Sequence, residues 1–388
     1  MNNQAIAIAS KKTIPFPFGN AETTIELGNS ILEEELPILK TRCAEAIIIA
    51  DRHVNEIWNN EVYNLLVSIL PTRLFTINAE EKEKSLATVC HLLETIMATA
   101  PSRSCVIVSF GGGLTGNIAG VISGLLFRGV ELIHIPTTLL AMSDSILSQK
   151  QAVNGQISKN SFGLYHKAFL NIIDIRYLST LPALHIYSGI IEIVKNCLAF
   201  DYGAIRSLRA VLEQPFTMEN LQFLVEMGIA QKRGILQQDP YEKEIGIVLE
   251  YGHTVGHSLE ITTDNLHHGQ AVGLGMLAAA YIAGRRGWIG IDDIRLHVEL
   301  LQRCQCPLRI GGQTDIDRVM RSINADNKKG KIAHSSAETP MVLLRSIGKV
   351  MTNKGKWLVP VSFEEIKEAL WTLQSDYFEK LVIENTGR

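Results

Sequence analysis

This chain lacks any uninterrupted apolar run approaching the ~20 residues needed to cross a bilayer. A secretory leader is not expected either, because Met1 to Lys12 carries polar Asn2-Asn3-Gln4 and only a short apolar stretch. The expectation is a cytoplasmic protein with no membrane partner. No Lys/Arg run exceeds two residues and the net charge is −3, which argues against a nucleic-acid-binding surface. Any phosphate chemistry must therefore rest on a local cluster of cations. The six cysteines (Cys43, Cys90, Cys105, Cys197, Cys304, Cys306) form no disulfide-rich pattern. Cys304-Gln305-Cys306 has no second cysteine pair nearby, so reduced, mostly buried thiols are expected rather than a zinc knuckle. Internal repeats, low-complexity tracts and long linkers are also missing.

What is present is a chain of 388 residues, 46% apolar and 20% charged, long enough for two cores. Ala46–Ala50, Arg73–Ile77, Ser104–Phe110 and Val130–Ile135 read as continuous buried strands. Helical stretches lie between them, at Lys84–Ala98 and from Gly113 to Phe127, and such alternation predicts a parallel sheet covered on both faces. From Pro182 the apolar period becomes 3.6, with helices expected over Tyr187–Phe200, Met218–Gln237, Ile245–Glu260 and Gly269–Arg285. Asp292–Gln302, Ile316–Ile323 and Glu364–Leu373 continue the pattern. The expected fold class is α/β plus α: a Rossmann-like parallel-sheet domain over 1–181, then a mainly helical domain over 182–388.

The stretch Glu250-Tyr251-Gly252-His253-Thr254-Val255-Gly256-His257, followed by His268-Gly269, carries the most chemistry. His253 and His257 fall on one face of a helix, with a third imidazole just beyond. Glu192 interrupts the apolar pattern Ile190-Ile191-Glu192-Ile193-Val194, where a carboxylate is costly unless paired or bound to a cation. One carboxylate and two imidazoles make a catalytic metal site with open positions. This is not an HExxH arrangement, since Thr254 follows His253. His257 is then a substrate or proton-relay residue and His268 the second imidazole ligand.

Gly111-Gly112-Gly113-Leu114-Thr115-Gly116-Asn117 follows a strand and opens a helix, as a pyrophosphate cradle does. A tight turn that needs glycine for steric reasons accounts for it equally simply. Asp51, at the end of the first strand, suits a ribose hydroxyl or a surface helix cap. The segment Asp144 to Lys150 with Lys159-Asn160, Lys232, and Asp326-Asn327-Lys328 read on their own as charged loops or faces.

Together these residues resemble the sugar phosphate cyclase superfamily, of the 3-dehydroquinate synthase type, from about residue 45 to residue 350. The resemblance rests on Gly111–Asn117, Arg128-Gly129-Val130, Ile135-Pro136-Thr137-Thr138, Thr180-Leu181-Pro182, Glu192–Lys195, Tyr251–His257, His268-Gly269 and the lysines already named. It implies NAD and one divalent metal, zinc or cobalt, held by Glu192, His253 and His268. It implies cofactor contacts from Asp51, Glu81, Lys84, Gly111, Gly112, Gly113, Asn117, Thr137, Thr138, Asp144 and Thr180. Substrate contacts would come from Arg128, Asp144, Lys159, Asn160, Lys232 and Lys328, and catalytic groups would be Lys150, Lys195, Glu250 and His257. Arg128 matches an arginine that reaches a neighbouring subunit's substrate, so a homodimer is expected.

Departures from the dehydroquinate synthase pattern point to a branch. Gly246 and Glu250 stand where that pattern has an arginine and an asparagine, and Ser148-Gln149 replaces Gly-Gly. Without the arginine, a substrate carboxylate would lose its partner at a cost of roughly several kcal/mol if buried. Glu250 suits a neutral, hydroxyl-rich sugar. This pattern is similar to that of 2-deoxy-scyllo-inosose synthases, which implies carbocyclisation of D-glucose 6-phosphate. The implied sequence is transient oxidation at C4, phosphate elimination, reduction, ring opening and aldol closure. His257 argues against the valiolone-type branch. The alternatives are 3-dehydroquinate synthase itself and a metal-dependent polyol dehydrogenase of the same two-domain plan.

Overall fold

The computed structural model describes residues 11–156, 159–263, 266–324 and 335–383. Lys328 lies outside the described residues. Two compact units emerge, each with its own core.

The first unit is built on a seven-stranded sheet of order β1-β2-β9-β6-β5-β3-β4. Its strands are β1 (Lys12–Phe18), β2 (Ala21–Gly28), β3 (Glu45–Asp51), β4 (Thr72–Ile77), β5 (Cys105–Gly111), β6 (Glu131–Pro136) and β9 (Leu170–Asp174). A separate two-stranded ribbon pairs β7 (Lys150–Val153) with β8 (Phe162–Tyr165). The strands from β2 to β4 run parallel; only edge strand β1 is antiparallel, paired to β2. In β3, Ile47, Ile48 and Ile49 are all fully buried, so the run is apolar without alternation because both sheet faces are covered. The four expected strands are present. Continuous apolar patterning did not reveal β1 and β2, because Pro15 and Pro17 interleave with Phe16 and Phe18 in β1, and Thr24 and Glu26 with Ile25 and Leu27 in β2.

The second unit is mainly helical and is drawn from Ala183–Pro215 and from Glu242 onward, with the short piece Gln156–Lys159. The long helix Met218–Gln238 does not belong to it: Phe216–Tyr241 joins the first unit, packing on β1 and the Ile175–Thr180 turn. A helical period reports which face is buried, not against which core. One stretch read as a single helix, Ile245–Glu260, is two elements. A 3₁₀ segment, Ile245–Glu250, ends at Tyr251, and Gly252 at φ +79° starts the helix His253–Thr262. A left-handed residue breaks the helix, and glycine adopts it without steric cost.

His134 on β6 is buried, its Nδ1 2.7 Å from Ser109 Oγ on β5. Burial, with a smaller contribution from His166, pushes its pKa down from 6.5 to about 3. The unfolded chain therefore takes up a proton that the folded chain refuses, and stability is lost as pH falls from 6.5 towards 3. The thermal midpoint should decline through this window, and less steeply in His134→Gln. Identical slopes in the two proteins would remove His134 as a contributor.

Candidate metal and dinucleotide sites

The metal candidate lies wholly within the second unit. Glu192 sits in the helix Ala183–Ala199, flanked by fully buried Ile190, Ile191 and Val194, and is itself 1% exposed. His253 opens the helix His253–Thr262 and His268 opens the helix His268–Arg285. Glu192 Oε1 is 3.6 Å from His253 Nε2 and 3.5 Å from His268 Nε2. One ligand atom from each of the three residues fits within 4.8 Å of the others. Glu192 Oε1 is buried and has no hydrogen-bond partner among the described residues. An orphaned carboxylate oxygen facing two imidazole nitrogens fits a divalent cation of the zinc or cobalt kind.

The surroundings aim these ligands. His253 Nδ1 donates to the Tyr251 carbonyl at 3.2 Å, and His268 Nδ1 faces Glu260 Oε2 at 3.1 Å. Both rings thereby leave Nε2 directed at Glu192. Tyr251 is fully buried, and its hydroxyl donates to His297 Nε2 at 2.8 Å. His297 Nδ1 donates in turn to the Asp293 carbonyl at 2.7 Å. Burial drives the pKa of His297 down to about 4, so a neutral ring serves both bonds. That clamp steadies the Tyr251-Gly252 turn from which His253 projects.

Close backbone packing brings the three helices together. A Cβ on Gly269 would lie 2.5 Å from Ser188 Cα, and one on Gly275 would lie 1.9 Å from the Gly252 carbonyl oxygen. Gly269 N also donates to Ser188 Oγ at 2.9 Å.

Burial works against ionisation of Glu192, but Lys195, His253 and His268 overcome it and hold the carboxyl well below its usual range. Lys195 Nζ is 2.5 Å from Glu192 Oε2, with both side chains 2% exposed. For His268, burial is outweighed by Glu260 and Glu192, which raise its pKa to about 10. The site therefore favours positive charge at the ligand position. His257 stands beside the ligands, its ring centroid 4.9 Å from that of His253 and 6.0 Å from that of His268. Glu250 closes the 3₁₀ segment that also contains buried Gly246, near enough to act electrostatically on His253. Lys159 joins this unit through an ion pair to Glu260 at 2.5 Å. Glu260 was not picked out from the sequence. Its signal was position, three residues after His257 on the same helical face.

The dinucleotide candidate lies in the first unit. The Gly111–Gly113 turn leaves β5 and enters the helix Gly113–Leu125. Added Cβ atoms would meet Thr115 Oγ1 at 2.7 Å from Gly111, Thr138 Cγ2 at 3.1 Å from Gly112 and Ser145 Oγ at 2.8 Å from Gly113. Buried Thr115 Oγ1, Thr137 Oγ1 and Ser145 Oγ have no hydrogen-bond partner among the described residues. A glycine cradle ringed by orphaned hydroxyls suits a polar, phosphate-bearing cofactor such as NAD. Asp51 caps the next helix, accepting from His53 N at 2.9 Å, and burial raises its pKa. Capping and a place beside the cradle coexist, since a Gly111 Cβ would also lie 3.0 Å from Asp51 Cβ.

Elsewhere in this unit Lys232 Nζ meets Asp144 Oδ1 at 2.8 Å and its carbonyl oxygen at 3.0 Å. Lys84 donates to Asn160 Oδ1 at 2.6 Å, and Asn154 ties Glu81 Oε1 (2.8 Å) to Asn160 N (3.0 Å). Asn117 spends its amide on the Gly113 carbonyl and on Ala152 N, fastening the strand that begins at Lys150. Thr138 caps a short helix through Ala141 N. Thr180 is exposed and donates to the Tyr177 carbonyl at 3.3 Å. Arg128 is exposed, with a left-handed φ of +71° following Phe127 at +54°. Two consecutive non-glycine residues in this region store backbone strain.

Sequence models of the N-terminal and C-terminal regions of 3-dehydroquinate synthase match residues 74–188 and 189–329. The chain is 37% identical over 327 residues to a 2-deoxy-scyllo-inosose synthase from Micromonospora echinospora, covering 84% of this chain and 82% of that protein. A crystal structure of 2-deoxy-scyllo-inosose synthase complexed with carbaglucose-6-phosphate, NAD+ and Co2+ superposes with a TM-score of 0.84 at 33% identity. It covers 92% of this chain and 99% of that one. A 2-epi-5-epi-valiolone synthase from Streptomyces hygroscopicus, with NAD+ and Zn2+ bound, follows at a TM-score of 0.79 and 25% identity, covering 91% and 97%.

Proposed function

This chain belongs to the 3-dehydroquinate synthase family and groups within it with the 2-deoxy-scyllo-inosose synthases, and on that premise we propose that it carbocyclises D-glucose 6-phosphate. The observation that carries the reading is the pairing of a complete Glu192–His253–His268 ligand set with Gly246 and Glu250 beside it. The first supplies the family's chemistry. The second removes the cation that a carboxylated substrate needs.

When bound, the metal supplies Lewis acidity towards a substrate hydroxyl and NAD a reversible hydride acceptor. The remaining work falls to side chains of the chain itself. Lys150, Lys159 and Asn160, with Lys328 outside the described residues, hold the C6 phosphate and stabilise its departure as an anion. Lys232, held by Asp144, is a further substrate contact. Glu250 and His257 exchange protons with the sugar hydroxyls and with carbon C5, and Lys195 keeps Glu192 ionised. C4 ends at its starting oxidation level, phosphate has left C6, and the opened chain closes by a bond between C6 and C1. The enzyme is thus a phosphate-eliminating carbon–oxygen lyase. The reading extends to a cytoplasmic homodimer, with Arg128 reaching the neighbour's phosphate, that makes the 2-deoxystreptamine precursor of aminoglycosides.

The test incubates the protein with glucose 6-phosphate, NAD and Co2+ or Zn2+. Phosphate and a six-carbon cyclic ketone should appear without accumulation of NADH. Absence of the ketone with both metals would sink the proposal. Comparable turnover of a heptulosonate phosphate would favour 3-dehydroquinate synthase, and net NADH from a polyol would favour a dehydrogenase.

A further inference from the structure

Glu260 stands between two groups that the proposed reaction uses separately. Its Oε2 is 3.1 Å from His268 Nδ1, and its Oε1 is 2.5 Å from Lys159 Nζ. The side chains of this ion pair are each only 12% exposed, so solvent screens it far less than a surface pair. Glu260 follows His253 by seven residues in the helix His253–Thr262. Two turns of helix therefore put the ligand imidazole, His257 and this carboxylate on one face.

We propose that Glu260 is a positioning residue with two roles: one oxygen fixes the ring of His268, and the other fixes the ammonium of Lys159 for an incoming phosphate. The ring can ligate through either nitrogen and can rotate about its Cβ–Cγ bond. A carboxylate on Nδ1–H selects the tautomer and leaves Nε2 directed at Glu192, making the ring a stronger metal ligand. A lysine ammonium has three donors, so a bond to Glu260 does not by itself exhaust its capacity to meet an anion. The long side chain is thereby ordered before the anion arrives, which favours binding. The second role rests on the reading of Lys159 as a phosphate ligand given above. The first does not.

The test uses the full-length chain freed of metal by chelation and titrated with Co2+, followed by its visible d–d absorption. Glu260→Ala should weaken Co2+ binding by about 10–100-fold and alter the spectrum. Glu260→Gln keeps an acceptor for His268 but cannot pair with an ammonium, so its Co2+ affinity should fall by less than about 5-fold. Lys159→Met should leave Co2+ affinity within about 2-fold of wild type, because it does not touch the ligand ring. Inorganic phosphate binding to the Co2+-loaded proteins, measured by calorimetry, should weaken by about 5–10-fold in both Glu260→Gln and Lys159→Met.

Unchanged Co2+ affinity and spectrum in Glu260→Ala would overturn the orienting role. Equal weakening of Co2+ in Lys159→Met and Glu260→Ala would overturn the division of labour. Phosphate affinity that drops in Lys159→Met but not in Glu260→Gln would overturn the lysine-positioning role. If phosphate affinity is unchanged in Lys159→Met, the reading of Lys159 as a phosphate ligand has failed, while the Co2+ titration still decides the role at His268. Should Glu260→Ala not fold, Glu260→Leu, which fills the space but offers His268 no acceptor, decides the orienting role: weakened Co2+ binding with an altered spectrum supports it, and wild-type affinity and spectrum overturn it.

Discussion

Glu192→Gln should reduce phosphate release from glucose 6-phosphate by about 10³-fold, because a metal contributes several kcal/mol to stabilising developing charge and each ~1.4 kcal/mol is tenfold in rate. Glutamine keeps the volume of the side chain but not the charge, and its amide is a poor partner for a divalent cation. Oε1 of Glu192 is the oxygen that faces both imidazoles. Oε2 balances Lys195, which is 2% exposed. Removing one partner of a buried ion pair typically costs about 3–5 kcal/mol, so the variant should also melt earlier. Metal analysis separates the two effects: bound metal should fall even at temperatures where the variant is fully folded. A folded Glu192→Gln protein with full metal occupancy and more than about a tenth of wild-type turnover would exclude Glu192 as a ligand.

Gly275→Ala is expected to be the most disruptive single methyl group in the second unit. Its Cβ would fall 1.9 Å from the Gly252 carbonyl oxygen and 2.8 Å from Gly256 N, both backbone atoms with no rotamer to yield. Alanine gains about 1 kcal/mol over glycine in a helix interior, but overpacking costs about 1–3 kcal/mol and more where backbone must move. The displaced peptide is the one immediately before His253, so metal affinity should fall along with the thermal midpoint. Gly234→Ala is the control. It also lies in a helix but meets nothing within 4 Å, and it should stabilise by about 1 kcal/mol. If both variants shift the midpoint alike, close packing at Gly275 is not what assembles the site.

Much of the candidate site was legible in the sequence because its chemistry is expensive elsewhere. A carboxylate amid Ile190, Ile191, Ile193 and Val194 needs a cation, and of three imidazoles within sixteen residues two, His253 and His268, complete the candidate ligand set. The glycine turn stood out because glycines at a strand-to-helix junction mark close backbone approach, whether to a phosphate or to neighbouring side chains. Glu260 was missed because a glutamate on an amphipathic helix looks like any solvated one; only the approach of His268 and Lys159 gives it a role. His297 was missed for a related reason, since a lone histidine in a helical pattern carries no mark of the tyrosine it clamps.

Sequence by itself determined the parallel sheet and the carboxylate and imidazole types gathered at the candidate metal site, and Gly246 and Glu250 carry the proposal of a substrate without a carboxylate. These follow from local properties: the period of apolar residues, the cost of buried charge and the side chain present at a position. Tertiary structure decided which core the helix Met218–Gln238 joins, which nitrogen of each imidazole faces Glu192, and which carboxylate steadies His268. Those depend on distances between residues far apart in the chain, which periodicity does not encode.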